Sequence, residues 1–224
     1  MVSMQIARWT LVALLLVAVA VSCGGGLKYR VDDGALDAVP AADRQGVFDA
    51  QKDLEIAKSE QRTADKQLDG FDRDLDVAKA ERKQADLEVE KATAEQESAT
   101  QSRDENRGNA ARHNKDAADF GVKVAYAKLS WLDDKHDWLK VASKAALAHI
   151  LAAQAKVEFE KAKVAQQKNI KPDGDFSVGN YEDQWKDKNS DWESAKKKAA
   201  SEEKDAKDSE KKWQDLQAQH QKMH

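Results

Sequence analysis

Cysteine, proline and glycine are scarce in this chain. Its 224 residues include one cysteine, two prolines and ten glycines. A single cysteine excludes an intramolecular disulfide, and the shortage of proline and glycine leaves long stretches without a helix breaker. Runs of alternating apolar and polar β-branched residues are also missing, so we predict no strands. These absences favour an all-α protein built from long helices.

An excess of charge of one sign is also lacking. The 37 basic and 41 acidic residues are interleaved along the chain, and the formal net charge is -4. The sequence has no basic face of the kind that neutralises phosphates, which argues against nucleic acid as a partner. Mixed charge at this density is typical of solvated helix faces.

The residue patterns of catalytic and metal sites are missing as well. The sequence contains no glycine-rich phosphate loop, no nucleophile elbow and no zinc-protease helix motif. His220 and His224 share a helix face, but two ligands are only half of a zinc site. A calcium loop starting at Asp173 would need Gly and Glu where Val178 and Gln184 stand. We therefore expect no enzyme activity, no metal, no cofactor and no small-molecule substrate.

The N-terminus has the layout of an export signal. Arg8 is followed by a run of apolar or small residues from Trp9 to Val21, and Ser22 and Cys23 come directly after it. This run is too short to span a bilayer, which takes roughly 20 apolar residues. A charged start, a short apolar core and small residues before the cleavage point are typical of a secretory signal. We predict a signal peptide over 1–22, cleaved between Ser22 and Cys23.

The end of this segment resembles the lipobox of bacterial lipoproteins, in which a signal peptidase cuts before an acylated cysteine. Ser22 and Cys23 match the last two positions of the lipobox, and Val21 is compatible with it. Ala20 stands where the family more often has Leu. The resemblance implies a diacylglyceryl group on Cys23 and a further acyl chain on the new N-terminus, which together anchor a protein stably. Gly24, where the enteric family retains lipoproteins at the inner membrane with Asp, implies the outer membrane facing the periplasm.

A tether and a long helix are expected after the cysteine. Glycines and Asp32-Asp33-Gly34 predict a lipidated flexible tether over 23–38, and Pro40 suits a first helical turn. A heptad repeat follows, and one of its two core positions is nearly always alanine, which predicts close packing against an antiparallel partner. Its core alanines are Ala50, Ala57, Ala64, Ala78, Ala85, Ala92 and Ala99.

The best turn signal in the helical region is Arg107-Gly108-Asn109. It predicts the tip of a long helical hairpin that spans 39–168. Because the heptad continues in phase across Gly108, a single unbroken helix of roughly 125 residues that assembles with its own copies stays open as an alternative. Core positions dominated by alanine favour the hairpin, since self-assembling parallel coils use large core residues.

The second helix of this hairpin carries apolar residues on two opposite faces. One face includes Phe120, Trp131, Trp138 and Phe159, and the other includes Leu132, Leu139, Ile150 and Val157. A helix that is apolar on both sides needs a partner on each side. The first helix covers one face, and the second face requires a further element.

A third helix supplies that element. Composition predicts a loop over 169–180 and a helix over 181–224. Antiparallel packing on the second helix would place Trp213 near Trp131 and Trp138, and Trp185 near Val164. The predicted fold is all-α: an elongated antiparallel helical hairpin plus a third helix, forming a three-helix coiled-coil-like rod.

Three functions suit such a rod. The leading one is a lipid-anchored, non-enzymatic spacer or scaffold that extends about 100 Å, and it resembles the coiled-coil envelope lipoproteins of Gram-negative bacteria. One alternative is a binding module that docks through Arg107, Gly108 and Asn109 onto an envelope transport or secretion assembly. The other is a periplasmic holdase chaperone. The expected partners are the membrane, through acyl chains on Cys23, and an envelope protein, through helix packing.

Overall fold

Three long helices make up most of residues 26–172 and 176–223, which the computed structural model describes. The helices are α1 (Gln45–Ser102), α2 (Glu105–Gln167) and α3 (Val178–His220). Two short 3₁₀ helices, Asp33–Leu36 and Ala41–Arg44, precede α1. No strand occurs in either of the described ranges. The predicted all-α fold is confirmed.

The helices α1 and α2 form an antiparallel hairpin along the predicted alanine-rich seam. Ala50 and Ala57 on α1 are fully buried, which lets the two helix axes approach closely. Larger side chains fill the middle of the seam, where Phe71 of α1 packs against Leu132 and Leu139 of α2. The predicted hairpin is therefore confirmed, and the alternative of one unbroken helix is wrong.

The turn of this hairpin lies four residues before its predicted position. Arg103 ends α1 in the left-handed region, with φ of 54°. The carboxylate of Asp104 then caps α2 by accepting a hydrogen bond from the backbone N–H of Arg107 at 3.1 Å. Gly108 is helical, and a side chain there would meet nothing within 4 Å. The prediction of a turn at 107–109 is wrong because the Asp104 cap decides where α2 begins.

The third helix packs antiparallel on the opposite face of α2. Aromatic rings stack along this interface and fix its register. The ring centroids are 4.7 Å apart for Trp131 and Trp213, 5.5 Å for Phe159 and Trp185, 4.1 Å for His149 and Trp192, and 5.9 Å for Phe120 and His220. The predicted pairing of Trp213 with Trp131 is confirmed.

The predicted neighbour of Trp185 is wrong by about one helical turn. Trp185 stacks on Phe159, whereas Val164 belongs to a cluster with Leu36, Val39 and Val47. The segment that precedes α1 covers Val164, and Trp185 packs about one turn earlier in α2.

The helix α2 is the middle element of the rod. Within the described ranges, α1 and α3 do not approach each other, so each packs only on its own face of α2. At about 1.5 Å per residue, α2 is about 95 Å long and α3 about 65 Å. The shorter α3 ends level with Ala117, whose carbonyl oxygen lies 3.0 Å from Nε2 of His220. Beyond Ala117, which lies level with Ala92 of α1, α1 and α2 continue as a two-helix tip, formed by residues 92–116.

Candidate functional site

The most elaborate polar site of the rod holds the segment just before α1. We call this segment, residues 26–39, together with its contacts on α2 and α3, the N-terminal clasp. Gln184 of α3 binds the backbone of Tyr29 twice: its carbonyl oxygen accepts from the Tyr29 N–H at 2.9 Å, and its amide donates to the Tyr29 carbonyl at 3.0 Å. Tyr181 donates to the carbonyl of Arg30 at 3.2 Å.

A buried ion pair completes the polar part of the clasp. Lys161 of α2 is only 7% exposed, and its ammonium donates to Asp33 and, at 3.1 Å, to Glu158. The second carboxylate oxygen of Glu158 accepts from the backbone N–H of Val31 at 2.7 Å. Burial by itself lowers the pKa of Lys161, but the hydrogen bonds to Asp33 and Glu158 outweigh it, and the pKa lies above its ordinary value. The ammonium therefore stays charged and links the segment to α2.

Apolar side chains anchor the same segment. Val31, Leu36 and Val39 are all buried; Val31 packs with Ala162 and Tyr181, and the other two pack on the end of α2. Each such side chain gains about 1.5–3 kcal/mol when it is fully buried. The prediction of a flexible tether over 23–38 is therefore wrong for residues 26–38. The glycine and aspartate residues of this segment indicated flexibility. Its apolar residues, which are widely spaced in the sequence, nevertheless hold it against the helices.

The clasp begins on the flank of α3. Gly26 and Lys28 line an open cleft of about 370 Å³ together with Asp183, Asp187 and Lys188 of α3. The predicted cleavage and lipidation residues, Ser22 and Cys23, lie outside the described residues, as does the whole predicted signal peptide over 1–22. The described segment nevertheless starts only three residues after Cys23.

The three predicted docking residues lie in the first turns of α2 and make only local contacts there. Arg107 donates through its guanidinium to the hydroxyl of Ser98 at 3.1 Å across the turn. The side-chain oxygen of Asn109 accepts from Arg112 at 2.9 Å, and Gly108 has open space where a side chain would point. These residues therefore lie close together at the tip but converge on no cleft.

An open groove runs between α1 and α3 along one side of α2. A part of this groove of about 280 Å³ is lined by Ile56 of α1, Trp185 and Trp192 of α3, and by alanines of α2. Its charged residues are already paired across the α1–α2 seam, because Lys156 donates to Asp53 at 2.8 Å. The groove lacks an uncompensated charge that would select a ligand.

The histidines at the helix interfaces serve packing. His149 stacks on Trp192 and lies 2.7 Å from a carboxylate oxygen of Glu60. His136 stacks on Phe71. Within residues 26–172 and 176–223, no three or more His, Cys, Asp or Glu side chains are grouped so that they could hold a metal ion. Of the two histidines that share a helix face in the sequence, His220 stacks on Phe120 and His224 lies outside the described residues.

Comparisons with protein-family models, with curated proteins and with solved structures find no match for this chain. Among the described residues, no helix is long and apolar enough to cross a membrane. The chain's own geometry and the export signal predicted from its sequence are therefore the grounds on which its function is inferred.

Proposed function

We propose that this protein is a lipid-anchored, non-enzymatic helical scaffold or spacer of the bacterial cell envelope. The observation that carries the proposal is the N-terminal clasp, because it holds the chain from residue 26, three residues after Cys23. The long, narrow rod adds support, since it offers extension and helix surfaces, while the clefts described above are shallow and open.

The clasp holds backbone groups of the segment as well as its side chains, which supports a role in positioning. Gln184, Tyr181 and Glu158 bind the backbone groups of three consecutive residues, 29–31. Ordering a backbone residue costs about 1–2 kcal/mol, so a segment with no positional role gains little from being held in this way. A segment that connects a membrane anchor to a rod gains a fixed point of attachment.

The anchor can be tested by mass spectrometry of the protein purified from its native envelope. We expect a mature chain that begins at Cys23 and carries the added mass of a diacylglyceryl group and an acyl chain. The Cys23→Ser variant should lose both modifications and leave the membrane fraction, whereas Ser3→Ala, outside the matched residues, should behave like the native protein. An unmodified thiol with residues 1–22 still attached would contradict the proposal.

A second candidate function is docking through the hairpin tip. It is favoured by the early end of α3, which leaves the two-helix tip uncovered. The variant Arg107→Ala/Asn109→Ala should then abolish crosslinking to an envelope partner without lowering the melting temperature. Unchanged crosslinking would instead favour a scaffold that binds along its length.

A further inference from the structure

The clasp determines where along the rod the chain leaves the folded part. Followed backwards from Asp33, the segment crosses from α2 to α3 and reaches Gln184 at Tyr29. Gly26 lies in the cleft beside Lys188, which is about 15 Å from the start of α3. The chain therefore leaves on the flank of α3 and runs towards the middle of the rod, away from its end.

This exit point limits where a lipid on Cys23 can go. Three peptide steps separate Gly26 from Cys23, and they reach at most about 11 Å. The end of the rod is farther away, since Ile170 and Phe176 pack beyond the helix ends around Leu36 and Val39. An upright rod would hold the acyl chains beside α3, above the bilayer. The acyl chains can enter the bilayer only if the flank of α3 lies close to the lipid.

We propose that the clasp holds the rod obliquely along the membrane surface, with the flank of α3 around Asp187 and Lys188 facing the lipid bilayer. The inference rests on the proposed lipid anchor and adds the direction of the rod. With a reach of about 11 Å and an offset of about 15 Å, the axis stands no steeper than roughly 45° to the membrane plane. The hairpin tip then lies about 70 Å from the bilayer at most, instead of about 95 Å for an upright rod.

The height of the tip can be measured directly. Lipidation of Cys23 consumes the only native thiol, so Gln101→Cys, exposed at the end of α1, provides a single labelling site. The labelled lipoprotein is placed in vesicles of phosphatidylethanolamine and phosphatidylglycerol, and energy transfer to acceptor dyes on the headgroups reports the distance. We expect a distance of at most about 70 Å. A distance near 95 Å in the lipidated protein would overturn the inference.

Two further variants test the role of the clasp. Insertion of about 15 Gly and Ser residues between Gly25 and Gly26 lengthens the reach to roughly 20 Å, so the mean tip distance should increase. Gln184→Ala removes both bonds to Tyr29 and should broaden the distance distribution. Its matched control is Gln214→Ala, an exposed glutamine on the same helix that bonds only Glu210, and it should change nothing. An unchanged distance in both the insertion and the Gln184→Ala variants would contradict a positioning role for the clasp.

Mass spectrometry of each sample keeps the two proposals separate. A chain without lipid contradicts the proposed function itself. A lipidated chain with an upright tip leaves the anchor intact and contradicts only the oblique orientation.

Discussion

Replacing Lys161 with methionine should open the N-terminal clasp while the three-helix rod stays folded. Methionine keeps most of the apolar stem but removes the ammonium that lies between Asp33 and Glu158. The side chain of Glu158 is only 13% exposed, so its carboxylate would lose its cation in a buried setting. Losing one partner of a buried pair costs about 3–5 kcal/mol. Since the side chain of Asp33 is 91% exposed, we expect a smaller value here, about 2–3 kcal/mol.

Hydrogen exchange at the backbone N–H of Val31 measures this loss, because that amide is bonded to Glu158. Lys156→Met is the matched control: it breaks a more exposed pair with Asp53 and should cost at most about 1 kcal/mol. The double variant Lys161→Met/Glu158→Gln should recover part of the loss, because it also removes the buried charge. If Lys161→Met and Lys156→Met had equal effects on Val31, the reasoning about burial would be refuted.

Three further outcomes are expected. Gly70→Ala should raise stability by about 0.5–1 kcal/mol in urea unfolding, because Gly70 is in mid-helix with open space beside it; a loss of stability would contradict this. A double-mutant cycle on the stacked pair Trp131 and Trp213 should show a coupling energy of about 0.5–1.5 kcal/mol. Zero coupling would contradict the role of this stacked pair in fixing the register between α2 and α3. The charged Lys161 contributes its full stabilisation of the clasp below pH 10.5, its ordinary pKa, and this contribution is lost as the pH rises through the higher folded-state pKa. The ionised Asp33 contributes its full stabilisation of the clasp above pH 3.8, and this contribution is lost as the pH falls through the lowered folded-state pKa. The protection of clasp amides from hydrogen exchange should therefore be constant between these two pH limits and decline outside them.

The pairing of the helices could be predicted because α2 carries two separate apolar stripes. The stripe that faces α1 includes Leu132 and Leu139, and the stripe that faces α3 includes Trp131 and Phe159. The second stripe includes Phe120, on which His220 stacks at the end of α3. The contacts of α2 with α1 and α3 therefore follow the two apolar stripes of α2 itself. These stripes can be recognised in the sequence by their 3.6-residue period.

The turn and the clasp could not be predicted in the same way because each depends on a few local contacts. Arg103 adopts a left-handed conformation that glycine favours, so the glycine at 108 indicated the wrong place. The Asp104 cap was the available signal for the true start of α2. For the clasp, the decisive partners are far apart in sequence: Tyr29 and Gln184 are separated by 155 residues, and no periodic pattern links them.

The distribution of buried side chains makes the two ends of the rod mechanically different. Between residues 92 and 116, all of which the structure describes, every buried residue is an alanine: Ala92, Ala99 and Ala111. The other end buries valines, a tyrosine and the Lys161 ion pair. Alanine removes much less apolar surface from water than a large side chain, so the tip should open locally at lower free energy than the clasp. Hydrogen exchange should therefore show faster local opening for amides of the two-helix tip than for the clasp, and equal protection at both ends would contradict this reasoning.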